Sequence, residues 1–169
     1  AGPNINVPLP VAAHSGKALT VNSAGNALEY SNPGVIKEYI SEFCNGQTIT
    51  TKSGVSLTLQ NVTAVQPGET HEVDVNGSSV SYKPPSGTTN VIYEFHFQHS
   101  FVDGHSISAF IFYIDNVEQT NTRTEMGNYV TGNKVSIKVP IKITGTTSAT
   151  DCTVSDWNST KTLKLTYRE

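Results

Sequence analysis

Three histidines lie within ten residues of the chain, His96, His99 and His105. Imidazole is a common ligand for zinc and iron, so three histidines close together in sequence suggest a metal centre. Side chains alternate along a strand, however, and a spacing of three places His96 and His99 on opposite faces. Two metal ligands on one strand must be two residues apart to lie on the same face. We therefore predict no metal site, and we interpret His105 as a surface or ligand-contacting residue.

Other patterns that carry catalysis are missing from the sequence. There is no Gly-x-Ser-x-Gly nucleophile elbow and no glycine-rich phosphate loop. Paired carboxylates for glycoside hydrolysis depend on spatial proximity, which a sequence does not reveal. Glu94, Asp103 and Asp115 are interpreted as solvated or strand-end groups. The prediction is a protein that is not an enzyme and uses no cofactor.

Loop residues are the candidates for contact with a ligand. They are Asp103 and His105 in one loop, Asn128 and Tyr129 in the loop that includes the sequence EMGNYV, and the single tryptophan, Trp157. An indole ring can stack on a sugar, but it is also a large apolar group that fills cores and interfaces. For Trp157 the packing role is favoured and the ligand role stays open.

The composition is typical of an all-β protein. The 169 residues include 17 Val, 11 Ile and 21 Thr but only 7 Leu, and β-branched residues favour sheets over helices. Charged residues are 15% of the chain and the net charge is −3, with no cluster of Lys and Arg. Nucleic-acid binding needs concentrated positive charge, and no apolar run approaches the length of a bilayer span. Nucleic-acid binding and membrane insertion are therefore not expected.

Alternating segments after residue 35 predict about eight strands. Residues 91–97 and 135–143 alternate between apolar and polar, whereas residues 107–114 are apolar on both faces and should be buried on both. Pro140 removes a backbone donor, which indicates an edge position or a bulge. Asn76-Gly77 predicts a tight hairpin turn. Residues 35–44 match helical spacing as well, but we favour a strand ending at the turn Asn45-Gly46.

Eight antiparallel strands suit a sandwich or jelly roll. Residues 1–34 precede this domain, and we interpret them as a proline-containing linker followed by a β-hairpin. The predicted domain boundaries are therefore 1–34 for the linker and hairpin neck and 35–169 for the head.

The hairpin presents four apolar residues on one face: Leu19, Val21, Leu28 and Tyr30. An isolated two-stranded hairpin is marginal in water. Four apolar side chains are too few to form a hydrophobic core within one chain, but twelve from three chains could close a small core around a shared axis. The hairpin therefore predicts a trimer neck.

The two cysteines, Cys44 and Cys152, lie far apart in the sequence. A disulfide between them would close a long loop and stabilise the fold by about 4–5 kcal/mol on the chain-entropy model. One pair is too few to indicate a disulfide scaffold, so two free thiols are favoured and the bonded alternative stays open.

The segment GKALTVNSAGNALEYS resembles a hairpin that joins shaft to globular tip in fibre proteins of phages and large viruses. Residues 79–88, 91–97 and 161–169 are similar to the C-terminal heads of fibre-like proteins from marine and algal viruses. Residues 144–156 match no pattern of this kind. The resemblance implies a homotrimeric attachment head, a jelly roll of the tumour-necrosis-factor or complement-head type. It implies no catalytic residues.

The leading interpretation is a virion fibre head on the virion surface that binds a host cell-surface glycan or protein during attachment. Two alternatives remain at this point. One is a glycan-degrading tip enzyme whose carboxylates are separated in the sequence, and the other is a secreted carbohydrate-binding module.

Overall fold

The computed structural model describes residue 15 and residues 17–21, 28–31, 36–100, 107–127 and 132–168. The chain separates into two compact units, Ala1–Lys37 and Glu38–Glu169. Each unit is described below by itself.

The first unit contains an antiparallel pair of strands, β1 (Ala18–Val21) and β2 (Leu28–Ser31). Their register places Leu19 opposite Tyr30 and Val21 opposite Leu28. The predicted hairpin pairing is confirmed, and the four apolar positions form two directly opposed pairs. The predicted turn at residues 22–25 lies outside the described residues.

The second unit is built from strands, as the composition predicts. They are β3 (Thr48–Thr50), β4 (Ser56–Thr58), β5 (Val73–Asp74), β6 (Val80–Tyr82), β7 (Asn90–His99), β8 (Ile107–Ile114), β9 (Val117–Glu118), β10 (Thr124–Gly127), β11 (Asn133–Ile143), β12 (Thr153–Val154) and β13 (Lys161–Arg168). A 3-10 turn at Thr120–Thr122 is the single helical element of the described chain. In that part of the molecule, no helix has the length and apolar character needed to cross a bilayer.

Two sheets enclose the core and give the unit its β-sandwich character. The larger has the order β10-β8-β13, with β5 and β6 both paired to β13 and β9 paired to β8, and the smaller has the order β12-β11-β7. Aromatic rings join them: the ring centroids of Tyr93 and Phe112 are 4.9 Å apart, and those of Phe97 and Phe110 are 5.2 Å apart. Strands β3 and β4 form a separate two-stranded sheet.

Strand β8 is buried on both faces, which confirms the interpretation of its continuous apolar run. Phe110 and Phe112 belong to the core cluster. Ile111, on the opposite side of the strand, is also only 1% exposed. Hydrogen-bonded neighbours on both sides, β10 and β13, make β8 a central strand.

Pro140 lies where strand β11 has an open edge, as predicted. The Lys142 amide donates to the Cys152 carbonyl at 3.2 Å, in the direction of β12. Backbone groups two residues apart in a strand point to the same side, and β12 pairs only with Lys142 and Ile143. The amide that Pro140 lacks would therefore meet no ladder partner among the described residues, and the proline costs the sheet nothing.

The strand predicted over residues 35–44 is wrong. The described part of this segment has no helix or strand, and Ile36, Tyr39 and Phe43 are more than 80% exposed. Alternation predicts a strand only where another strand supplies a ladder. Here backbone hydrogen bonding to a neighbouring segment begins only at the last residue, where the Val62 amide donates to the Cys44 carbonyl. The chain bends next, at Asn45-Gly46, where Gly46 has a φ of +81°.

The hairpin predicted at Asn76-Gly77 is also wrong, although a turn is present. Strands β5 and β6 on either side of it pair with successive parts of β13 and not with each other. A two-residue hairpin of the type I′ class needs positive φ at both central residues, and only Gly77 has it, at +88°. Asp115 and Asn116, with φ of 51° and 64°, meet that requirement and connect β8 to β9.

Both cysteines are free thiols, the favoured alternative. Cys152 is buried, and burial raises the pKa of its thiol to about 11. Burial also raises the pKa of Cys44. Both groups are therefore held in the protonated, unreactive form at neutral pH.

Candidate functional site

Four of the five predicted receptor-contacting residues fall outside the described part of the chain. They are Asp103, His105, Asn128 and Tyr129. Their roles stay predictions.

Trp157 is placed in the core. Its side chain is 5% exposed, and the indole Nε1 donates a hydrogen bond to the Tyr82 carbonyl at 3.0 Å. The rings of Trp157 and Tyr82 also meet edge to face, with centroids 6.1 Å apart. This burial agrees with the packing role that the sequence favoured for Trp157, and its receptor role stays a prediction.

The histidines of β7 lie on opposite faces, as their spacing predicts. His96 is exposed, and its Nε2 lies 3.2 Å from a Glu94 oxygen. His99 is partly buried, and its Nε2 is 3.1 Å from the Ser108 hydroxyl. Within the described ranges, no group of three potential ligands could hold a metal ion.

A bulge separates β5 from β6, the two strands that pair with successive parts of β13. The Val75 amide donates to the Leu165 carbonyl, and Val80 lies opposite Leu163. Residues 76–79 therefore stand opposite one residue, Lys164, which makes a bulge of three extra residues (4 − 1). Bulges at sheet edges commonly re-aim a segment of chain, and this one contains the turn at Asn76-Gly77, which packs against Val62 and Cys44.

Ser78 closes the gap that the bulge leaves in the ladder. Its hydroxyl donates to the Leu165 carbonyl at 3.1 Å and accepts from the Leu165 amide at 3.0 Å. Its own carbonyl accepts a hydrogen bond from the Tyr93 hydroxyl at 2.7 Å. Ser78, which is 1% exposed, thus supplies the partner of the Leu165 amide and a second donor to the Leu165 carbonyl, which also accepts from the Val75 amide.

Two glutamine side chains fix the outer part of the bulge. The Gln60 Oε1 accepts hydrogen bonds from the amides of Gly77, at 2.9 Å, and Ser79, at 3.1 Å. The Gln66 Oε1 accepts from the Asn76 amide at 2.7 Å, and its Nε2 donates to the Asp74 carbonyl at 2.8 Å. Each glutamine holds two points of the backbone, so the turn and residues 60–66 form one connected structure.

Gly77 is required where it packs against the neighbouring segment. A Cβ atom at this position would lie 2.9 Å from the Val62 Cγ2 and 3.0 Å from the Cys44 Sγ, and the positive φ of Gly77 would be strained with any side chain. The Cys44 thiol also donates to the Gly77 carbonyl at 3.3 Å.

Between the turn and residues 60–67 lies a cleft of about 230 Å³, which we call the amide cleft. Residues 60–67, Asn76 and Gly77 line it, and none of them is charged. The side-chain amides of Asn61 and Asn76 and the Nε2 of Gln60 have no hydrogen-bond partner in the described structure. These groups are available to a ligand.

A second, smaller cleft of about 120 Å³ lies on another part of the unit, beside residues 84–88 and 155–158. It includes the acidic residue Asp156 and the exposed residue Asn158. Its size makes it a natural comparison for the amide cleft.

A polar cluster lies on β8, β13 and the residue before β5. The Glu72 carboxylate accepts hydrogen bonds from the Tyr113 hydroxyl at 2.6 Å and the Thr166 hydroxyl at 2.7 Å. The bond from Tyr113 is the main cause that lowers the pKa of Glu72. Burial, together with the nearby carboxylate of Glu72, raises the pKa of Tyr113 to about 12. Both groups are used within the cluster, which stabilises the fold and presents no free nucleophile.

Comparison of the chain with protein-family models, with curated proteins and with solved structures finds no match. The resemblance to viral fibre heads therefore rests on the quoted sequence segments.

Sequence reasoning missed the amide cleft. Its residues come from two regions of the chain that follow no periodic pattern, and pairing of both flanking strands with β13 brings them together. The one local signal was Asn76-Gly77, which we interpreted as a hairpin turn. An exposed amide-rich segment, residues 60–66, was the other available clue.

Proposed function

We propose that this chain is the head and neck of a homotrimeric attachment fibre, carried on a virion surface, and that the head binds a host cell-surface receptor. In this proposal residues 38–169 form a jelly-roll head of the tumour-necrosis-factor or complement-head kind. The β1–β2 hairpin forms the neck, where three chains meet.

The hairpin is the observation that carries the proposal. Its register sets Leu19 against Tyr30 and Val21 against Leu28, and Leu19 remains 42% exposed. A two-stranded sheet of four residues in each strand is marginal by itself. Burial of a large apolar side chain contributes roughly 1.5–3 kcal/mol, so packing of three hairpins would offset the cost of ordering them.

Two further features support the proposal. The segments GKALTVNSAGNALEYS, 79–88, 91–97 and 161–169 resemble fibre necks and heads. In addition, Tyr39 and Phe43, next to the neck in sequence, expose more than 80% of their surface. Large exposed apolar side chains close together in sequence are typical of surfaces that meet another protein.

Light scattering on the full chain tests the oligomer. We expect a mass three times that of one chain. Leu28→Asp would place three carboxylates in the neck and should shift the mass towards that of the monomer. Ala18→Asp is the matched control, because Ala18 alternates with Leu19 and lies on the opposite face of β1. A monomeric mass for the unsubstituted chain would contradict the fibre proposal.

Receptor binding is tested separately with the fluorescently labelled trimer and intact cells of marine algae and bacteria. We expect saturable binding to a subset of these cells that unlabelled trimer displaces. Binding that never saturates, or that unlabelled protein does not displace, would count against an attachment role.

A further inference from the structure

From the geometry of the amide cleft we infer that it binds one residue of an uncharged oligosaccharide. This inference rests on the proposed function, since it names the chemical class of receptor that the head would recognise and the surface that would contact it.

The charge of the cleft selects the ligand class. No charged residue lines it. An anionic or cationic ligand would lose hydration there without gaining an opposite charge, which is unfavourable. A neutral ligand bears no such cost.

The side-chain amides that face the cleft have the hydrogen-bonding groups needed to bind sugar hydroxyls. A sugar hydroxyl both donates and accepts, and a side-chain amide offers two donors and a carbonyl acceptor. Asn61 and Asn76 present complete amides, and Gln60 adds its Nε2. Three amide groups on one small cleft can therefore satisfy several hydroxyls of one sugar ring.

The site is preorganised, because the atoms that hold its backbone are not the atoms that would contact a ligand. Gln60 and Gln66 hold the backbone through their Oε1 atoms, and Ser78 anchors the bulge to β13. Binding then does not need to order the turn, which lowers the free-energy cost of association.

The apolar residues of the cleft and its volume limit what is bound. Ala64, Val65 and Pro67 line the cleft, and Val65 is 95% exposed, so the C–H face of a sugar ring has an apolar surface to cover. Pockets for drug-sized ligands occupy about 300–1,000 Å³, and this cleft is smaller. It therefore fits one unit of a chain or a branch end better than a whole free ligand.

A titration followed by nitrogen-15 NMR tests the inference on the full chain. The neutral probes are maltohexaose, cellohexaose, laminarihexaose and mannohexaose, and the charged comparators are 3′-sialyllactose and hexagalacturonate. We expect at least one neutral probe to shift the side-chain NH₂ signals of Asn61, Asn76 and Gln60. Asn61→Ala and Asn76→Ala should each weaken that binding about three- to tenfold, as expected for loss of neutral hydrogen bonds.

Asn158→Ala is the matched control, an exposed asparagine in the smaller cleft whose side chain has no partner among the described residues. It should bind as the unsubstituted chain does. Thermal unfolding of all three variants is measured first, and unchanged melting shows that the exposed substitutions leave the fold intact.

The inference is overturned if no probe shifts the cleft signals, if only the charged comparators do, or if Asn61→Ala and Asn76→Ala bind like Asn158→Ala. Shifts that grow with protein concentration alone would identify a second copy of the chain as the occupant, and they would overturn it too. If a variant that carries both Asn61→Ala and Asn76→Ala still binds cells as the unsubstituted trimer does, the cleft inference fails while the attachment proposal stands. If the unsubstituted trimer binds no cells, the attachment proposal fails, and the sugar titration still reports on the cleft.

Discussion

Ser78 shows how one hydroxyl can replace a missing stretch of sheet. Without Ser78, strand β13 would have an unpaired amide at Leu165, because the bulge removes its ladder partner, whereas the Leu165 carbonyl would still accept from the Val75 amide. A buried backbone group without a partner costs about 1–3 kcal/mol. The Ser78 hydroxyl avoids that cost at the Leu165 amide and gives the Leu165 carbonyl a second hydrogen bond.

Replacement of Ser78 by alanine should therefore lower the free energy of unfolding by about 1–3 kcal/mol, the cost of leaving the buried Leu165 amide without a partner. Urea denaturation measures the change. Ser81→Ala is the control, since Ser81 is exposed on β6 and should alter stability by less than about 0.5 kcal/mol. Equal effects of the two substitutions would contradict this role of Ser78.

The Glu72 cluster predicts a specific pH dependence. The folded state lowers the pKa of Glu72, so its stabilising contribution is present above the unfolded pKa of about 4.3 and is lost as pH falls below it. Glu72→Gln keeps an acceptor but cannot titrate, and it should lose less stability than the unsubstituted chain between pH 5 and pH 3. Denaturation curves at both pH values measure the difference.

The opposite sign holds for Tyr113, whose raised pKa contributes stability that is lost as pH rises from about 10 towards 12.

Glu125→Gln is the control for the acid experiment on Glu72, because the exposed Glu125 side chain has no hydrogen bond to any described residue. An identical acid response of the two glutamine variants would argue against the cluster.

At the scale of elements, position within a sheet should set local stability. Strand β8 pairs with β10 on one side and with β13 on the other, and its side chains are buried on both faces. Strands β3 and β4 pair only with each other, over three residues each. Central, buried strands open mainly through global unfolding, whereas small peripheral sheets open locally.

Native-state hydrogen exchange should therefore find the slowest amides in β8 and β13 and much faster exchange at residues 48–50 and 56–58. Mass spectrometry of peptic fragments would resolve the two sets. Protection of residues 48–58 equal to that of β8 would mean that the small sheet unfolds only with the core.

Strands with a clear alternating or continuous apolar pattern were predictable from the sequence, whereas pairing between distant segments was not. Strands β7, β8, β11 and β13, the hairpin pairing and the edge position of Pro140 follow from local patterns. The path of residues 73–82 did not, because β13, nearly ninety residues further along the chain, decides it: Leu165 bonds to Ser78 with a separation of 87 residues. The amide cleft depends on that long-range pairing, and it was missed for the same reason.

At the scale of the whole molecule, the division into two units predicts that they can be separated. A chain of residues 38–169 should keep the core, which lies in β7, β8, β11 and β13, and should show the same fluorescence from the buried Trp157. Its mass by light scattering should fall towards that of the monomer, because the hairpin is absent.

Fluorescence and light scattering on the shortened chain check both parts of this prediction. Loss of the buried-tryptophan signal would mean that residues 1–37 are needed for the core to fold. An unchanged trimeric mass would move the main oligomer contacts from the hairpin to the head.

In the amide cleft, the side chains that hold the backbone are not the two asparagines whose amides make no bond within the described structure. Ser78, Gln60 and Gln66 hold its backbone, whereas the side chains of Asn61 and Asn76 are bound to no described residue and are exposed. Substitutions at exposed positions of this kind usually change stability by less than about 0.5 kcal/mol. Natural variation can therefore alter the chemistry of this surface one residue at a time without endangering the fold. Divergence among descendants of this chain should concentrate at positions 61 and 76, while positions 60, 66, 77 and 78 change slowly.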